Sequence, residues 1–307
     1  LEIEHDNLRA ALKWSLESDQ AKAGLQMAGA LTWFWRDNGH FREGNRWLEK
    51  LLTSDHGVRG TEQAKALRAS SMMSRDMGDY IRAKALADSS IKLYRETGDN
   101  QGVGLALIEL GATLNLEGTR EEAIEILQES LDLLQSTKEM WGIAYAQVLL
   151  GVAWFRGGDI ERAATHFEAS LRLTRELGDY SLMAWALGGL GDVARLRGEY
   201  NRAIEMFKES LNLCQEGGDK TGPPFTMEAL GLAVAALGRS QHAARLWGAA
   251  ASWREAINEP VPVTYQKDYA AIITEARTQL GEKVYASAWA EGYAMSAEQA
   301  IALALEE

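Results

Sequence analysis

A beat of forty residues constrains this chain more than any other feature. Turn-type glycines stand at Gly39, Gly78, Gly118, Gly158, Gly198 and Gly238, in steps of 39, 40, 40, 40 and 40 residues. Five positions after each of the last five comes alanine: Ala83, Ala123, Ala163, Ala203 and Ala243. A fixed period of roughly 20–50 residues marks a solenoid, in which each repeat buries its apolar face against its neighbours. A second punctuation, Gly98-Asp99, Gly178-Asp179 and Gly218-Asp219, falls at multiples of the same interval. Glycine closes a helix in the left-handed conformation, and aspartate caps the next one by accepting from its free amides. Thr119-Arg120-Glu121-Glu122 predicts a capping box at an equivalent place.

Apolar periodicity between these breaks predicts helices throughout. Three lead in, at about 2–17, 20–37 and 41–52, broken at Ser18-Asp19 and Asn38-Gly39. Then come five antiparallel pairs, with A helices at about 61–77, 101–117, 140–156, 181–197 and 223–237. Their B partners run at about 80–97, 120–136, 160–177, 200–216 and 240–257. Gly111, Gly151, Gly191 and Gly231 recur in the middle of the A helices. Glycine there costs about 1 kcal/mol against alanine, so its repetition predicts close approach of another backbone. The expected partner is the small-residue stripe of B, Ala123, Ala163 and Ala203 with Ser90, Ser130, Ser170 and Ser210. Leu110, Leu150, Leu190 and Leu230 on A, Leu93, Leu133, Leu173 and Leu213 on B, and Phe167, Phe207 and Trp247 fill the remaining space. Pro260-Val261-Pro262 separates this array, residues 1–257, from an extension over 258–307. That extension is expected to be helical, at about 264–279, 282–292 and 296–306, and to cap the solenoid end.

Composition excludes several classes. A formal charge of −12 argues against the chain gripping nucleic acid directly, since phosphate contacts need clustered Lys and Arg. The single cysteine, Cys214, rules out an internal disulfide and fits a reducing cytoplasm. No apolar run approaches the ~18 residues that cross a bilayer. The chain opens on Leu1 without a signal peptide and reads as a segment of a longer protein.

The pattern Ala144…Leu150-Gly151…Gly158…Ala163…Phe167…Ser170, repeated as Ala184…Leu190-Gly191…Gly198…Ala203…Phe207…Ser210, resembles the tetratricopeptide repeat. The resemblance covers about residues 20–257, and its forty-residue form is similar to that of kinesin light chains and bacterial regulators. It is weakest in the first unit, where Thr32 takes the mid-helix glycine position, and Gly-Asp replaces the usual terminal proline. It implies an all-α, right-handed superhelical solenoid of antiparallel helix pairs with a C-terminal helical cap. The ends carry a second resemblance. Leu1-Glu2-Ile3-Glu4-His5-Asp6-Asn7-Leu8-Arg9-Ala10-Ala11-Leu12 is similar to the segment joining ATPase and helical sensor in bacterial STAND/LuxR-type transcription regulators. Ala243-Ala244-Arg245-Leu246-Trp247-Gly248, Leu280-Gly281-Glu282 and Trp289-Ala290-Glu291-Gly292 resemble the tail of the same proteins. This implies a cytoplasmic sensor whose partners include the ATPase and output domains of its parent chain.

The sequence carries no catalytic constellation. His5, His40, His56, His166 and His242 show no metal-ligand spacing in the sequence, so no metal and no cofactor are expected. Gly188-Gly189-Leu190-Gly191 lies inside a predicted helix, and Gly218-Asp219-Lys220-Thr221 reads as a turn rather than a phosphate cradle. There is no nucleophile elbow, and the expectation is a protein without enzymatic activity.

The groove remains. Carried over from the resemblance, the inner-face positions of the A helices hold Trp33, Arg36, Arg68, Arg75, Asn115, Tyr145, Phe155, Trp185, Asp192 and Arg195. Arg36, Arg68 and Arg75 are expected to converge, where forked guanidinium hydrogen bonds suit a carboxylate or phosphate. Tyr145, Phe155 and Trp185 add aromatic surface of the kind enriched at binding hot spots. The expected partner is a peptide, a protein segment or a small-molecule inducer, with no membrane contact. Alternatives stay open: a constitutive interaction scaffold without inducer, an enzyme or enzyme-regulating domain, and, for single groove residues, a structural role in which the arginines pair with acidic residues such as Asp37 and Asp76.

Overall fold

The computed structural model describes residues 1–18, 20–54, 60–257 and 263–306. Asp19, His56 and the Pro260-Val261-Pro262 linker lie outside the described residues. A 3-10 turn, Glu2–Glu4, leads into α1 (His5–Glu17), α2 (Ala21–Ala30), α3 (Thr32–Asp37) and α4 (Phe41–Thr53). The pairs follow: α5 (Thr61–Asp76) with α6 (Tyr80–Thr97), α7 (Asn100–Glu117) with α8 (Arg120–Thr137), and α9 (Met140–Arg156) with α10 (Ile160–Leu177). Next are α11 (Tyr180–Leu196) with α12 (Tyr200–Gly217) and α13 (Gly222–Ala236) with α14 (Ser240–Ala256). The chain ends in α15 (Val263–Leu280), α16 (Glu282–Tyr293) and α17 (Ala297–Leu305). The fold is an all-α helical solenoid. It forms two compact units, Leu1–Gly142 and Ile143–Glu307.

The predicted boundaries hold to within a residue or two, with one exception. The helix expected over 20–37 is interrupted at Leu31, whose ψ of −2° lies at the edge of the helical region. Thr32 explains the break. Its hydroxyl donates back to the carbonyls of Gly29 at 2.9 Å and Ala28 at 3.3 Å, a competition with the backbone ladder that bends helices.

The turns obey the expected chemistry except at two places. Gly98, Gly178 and Gly218 close their helices at φ of 71°, 68° and 70°, and Asp99 and Asp179 cap the next helices by accepting from Gly102 and Leu182. The fourth site in this series is Lys138, held at φ 57° without a glycine's freedom. The capping box at Thr119 does not form. Its hydroxyl donates to the Leu114 carbonyl of the preceding helix at 3.3 Å and makes no cap bond.

The mid-helix glycines make room for side chains rather than for a backbone, which corrects the expectation. A Cβ on Gly111 would lie 2.5 Å from Leu127, on Gly151 2.6 Å from Phe167, on Gly191 2.6 Å from Phe207 and on Gly231 2.4 Å from Trp247. Each glycine is therefore the slot into which the large residue of its own B helix fits. In the α5–α6 pair both sizes change: the glycine position is Ser71 and the large column holds Ala87, each fully buried. The serine column also has a definite task. Ser90 donates to the Ala64 carbonyl at 2.8 Å, Ser130 to Gly104 at 2.7 Å and Ser210 to Ala184 at 2.9 Å, stapling B to A within a pair.

Close backbone approach occurs in the second unit, between α14 and α16. A Cβ on Gly248 would sit 2.0 Å from the Trp289 carbonyl oxygen, and on Gly292 1.9 Å from that of Arg245. Ala288, Ala300, Ile301, Leu303 and Ala304 of α16 and α17 share one core with Leu230, Leu246 and Ala250.

Two substitutions test this account by thermal and urea denaturation. Lys138→Gly relieves the left-handed strain and is expected to stabilise the chain by about 1 kcal/mol. Gly292→Ala drives a methyl into a carbonyl that cannot rotate away, and is expected to cost roughly 2 kcal/mol or more.

Candidate functional site

In the first unit the predicted arginines do converge, from two helices, but their charge is taken up inside the chain. Arg36 of α3 lies 3.4 Å from Asp76 and 4.0 Å from Asp37, with its guanidinium 5.0 Å above the Trp33 ring. Arg75 of α5 donates to Asp76 at 2.8 Å and to Glu109 of α7 at 2.6 Å. Arg68 reaches the other oxygen of Glu109 at 3.5 Å. Three guanidiniums are thus matched by Asp37, Asp76 and Glu109. Arg36 is 7% exposed, Arg75 4% and Glu109 1%, so this is a buried network rather than an open anion cradle. Asn115 is buried on α7 as well. Trp33 meets the Trp141 ring edge-on at 5.2 Å, closing over this side of the unit.

Glu109 and Trp141 escaped the sequence reading. The signal for Glu109 was present: its column otherwise reads Ala69, Leu149, Gly189 and Ala229, all uncharged. A lone carboxylate in an apolar column asks for a buried cation, because unpaired it would carry its full desolvation cost.

In the second unit the predicted residues form a different surface. Tyr145 is buried on α9 and meets Trp185 of α11 edge-on at 5.9 Å. Trp185 and Phe155 remain partly exposed. Arg195 is held by its neighbour one turn back, donating to one Asp192 oxygen from Nε at 3.0 Å and Nη2 at 2.8 Å. This pair lies within one helix. Near the chain's end, Arg254 of α14 forks onto Glu228 of α13 at 2.9 and 3.0 Å, with its guanidinium 3.8 Å above Phe225. His166 of α10 approaches the Gln147 amide oxygen at 2.6 Å. That oxygen only accepts, so Nδ1 carries the proton, and burial lowers the imidazole's pKa below its ordinary value.

Folding also joins histidines that the sequence separates. The His5 and His40 rings stand 4.6 Å apart, with Glu2 and Glu43 beside them. Sequence spacing does not show this pairing, which arises because His40 precedes α4 and packs against the start of α1. Glu43 accepts a two-pronged bond from Arg9 at 2.7 and 2.6 Å, which holds its pKa down at about 2.

No helix among the described residues is long and apolar enough to cross a membrane. The family profile described as tetratricopeptide repeat matches residues 142–216, and that of anaphase-promoting complex subunit 5 matches residues 55–117. Curated proteins named as HTH-type transcriptional regulators in Mycobacterium bovis and Mycobacterium tuberculosis are 32% identical over 123 residues. The match spans 36% of this chain but only 14% of those regulators' length. Among solved structures, a Rap protein complexed with competence and sporulation factor superposes with a TM-score of 0.71 at 14% identity. That superposition covers 93% of this chain and 77% of the other. Aspartyl phosphate phosphatase F from Bacillus subtilis gives 0.64 at 13%, covering 96% and 74%. At such identities these structures establish the fold alone.

Two measurements follow. Glu109→Ala strands Arg75 in the interior and is expected to cost about 3 kcal/mol or more in urea denaturation, whereas Asp192→Ala costs under about 1 kcal/mol. His166 is one of two histidines, with His242, whose pKa burial lowers. Its folded pKa lies below the unfolded value of about 6.5, so the unfolded chain binds more protons there, and stability falls as pH drops through that window. Melting temperatures between pH 8 and 5 are expected to decline less steeply in His166→Gln than in the parent.

Proposed function

Because this chain carries tetratricopeptide-type repeats, we propose that it is a non-enzymatic binding module that takes an extended peptide or protein segment on its A-helix faces. The observation that carries the reading is how the columns divide. The repeated positions are consumed by packing, glycine slot against large residue and serine against carbonyl. Most of the aromatic and charged departures described above fall on the A helices, Arg254 of α14 being an exception. Of these, Trp185, Phe155 and the Asp192–Arg195 pair of the second unit are the better candidates for contact. They keep partial exposure, and Arg195 can exchange its same-helix partner for a ligand carboxylate with little rearrangement. Arg36, Arg75, Asn115 and Tyr145 are buried and stiffen their surroundings, while Trp33 and Arg68 are partly exposed but engaged with Trp141 and Glu109.

The stretch similar to HTH-type regulators supports a further step. In a parent chain of that kind the module acts as the sensor, and its ligand biases output domains by binding one of their two arrangements more tightly. Differential affinity is required, since equal affinity for both states moves nothing. The likeness to a Rap protein complexed with competence and sporulation factor fits the same use of the fold.

Peptides selected from a displayed library on the intact chain test the site. Trp185→Ala and Arg195→Ala are each expected to weaken the selected peptides at least about tenfold in fluorescence anisotropy, the scale of a hot-spot loss. Unchanged affinity in both would place binding elsewhere. A melting shift with a small metabolite would mark an inducer-driven sensor, and its absence beside tight peptide binding favours a constitutive scaffold.

A further inference from the structure

We propose that Glu2, His5 and His40 form a binding site for a late first-row divalent cation of the zinc class, with Glu43 orienting His5. One ligand atom from each of the three residues lies within 4.8 Å of the others. His40 Nε2 is 3.4 Å from one Glu2 oxygen, and His5 Nδ1 is 3.9 Å from the second. Four donors at ~2.0–2.1 Å around a tetrahedral ion stand roughly 3.3 Å apart, so small side-chain adjustments bring this set to ligand geometry.

The imidazoles are placed as ligands are, not as packing residues. His5 is 9% exposed, and the Nε2 of His40 is a buried nitrogen without a hydrogen bond. Such groups are costly inside a protein unless something accepts them. His5 Nε2 faces Glu43 at 3.3 Å while Nδ1 faces Glu2. That is the placement of a carboxylate–histidine–metal arrangement, in which Glu43 would accept the ring proton on tightening, fix the tautomer and leave Nδ1 a lone pair for the ion. Arg9 and Trp47 in turn hold Glu43, and Phe34 meets the His5 ring edge-on at 5.2 Å. Two imidazoles and one carboxylate favour Zn²⁺ over the oxygen-seeking Mg²⁺ or Ca²⁺. Glu2 is half-exposed, which provides entry and leaves a fourth position for water. The bound ion would fasten the first turn of the chain to the α3–α4 junction.

Isothermal titration of the untagged, full 307-residue chain with ZnCl₂, and Co²⁺ absorption in the visible, test the proposal. A single tight Zn²⁺ site is expected, with tetrahedral Co²⁺ bands and a raised melting temperature that Mg²⁺ does not reproduce. His40→Gln and Glu2→Gln, both on the more open side of the cluster, are each expected to weaken it at least about tenfold while leaving the circular dichroism unchanged. His5→Ala, which also removes a packed ring, serves as a second check. The proposal is overturned if the parent binds no stoichiometric Zn²⁺, or if folded His40→Gln and Glu2→Gln bind it as tightly as the parent.

Discussion

The fit of one large side chain into one missing side chain is the constraint on which the rest of the structure depends. Leu127, Phe167, Phe207 and Trp247 each enter the space that a Cβ would fill at Gly111, Gly151, Gly191 and Gly231. A helix pair closed in this way has a fixed distance and a fixed register, because shifting either helix drives the ring into backbone. The Trp247 indole shows how specific the fit is: its N–H donates to the Glu228 carbonyl at 3.1 Å. The α5–α6 pair meets the same requirement with Ser71 and Ala87, where the serine hydroxyl bonds to the Ala83 carbonyl instead. The loss of a glycine from one helix is offset by the loss of bulk from its partner.

Much of this was legible before any coordinates, because it is local or periodic. Helix ends at Gly98 and Gly178, caps at Asp99 and Asp179, and the existence of the size columns all follow from residue type and spacing. Which column meets which glycine was not legible, since spacing along two helices does not state their relative rotation. Lys138 hid the fourth turn of its series by using the glycine conformation without glycine. Thr119 has the sequence of a capping residue, yet a competing acceptor at Leu114 claims its hydroxyl. The His5–His40 pair joins positions thirty-five residues apart, His5 lying ahead of the repeat, where periodicity gives no help.

The same division separates scaffold from candidate site. Buried ion networks such as Arg75–Glu109 and Arg254–Glu228 replace apolar packing at single repeats, and their value lies as much in fixing one arrangement as in stability. They explain why converging arginines need not bind an external anion. The surfaces proposed for a ligand are those where a repeat departs from its neighbours and the side chains keep partial exposure. Trp185, Phe155 and the same-helix Asp192–Arg195 pair meet that description best. The candidate site was therefore half legible: the sequence identifies the departures, and only packing sorts those that face inward from those left accessible.

The most direct test of the central claim transplants one solution into another pair. Gly191→Ser, Phe207→Ala and the double variant would be compared by urea denaturation. Separately, the serine is expected to overpack the slot and the alanine to leave a cavity, costing about 1–3 and 3–5 kcal/mol. Together they recreate the Ser71–Ala87 pairing, so the double variant should be no less stable than Phe207→Ala alone, a favourable coupling of about 1 kcal/mol or more. Costs that simply add, to within about 0.5 kcal/mol, would contradict the claim that slot and side chain act as one unit.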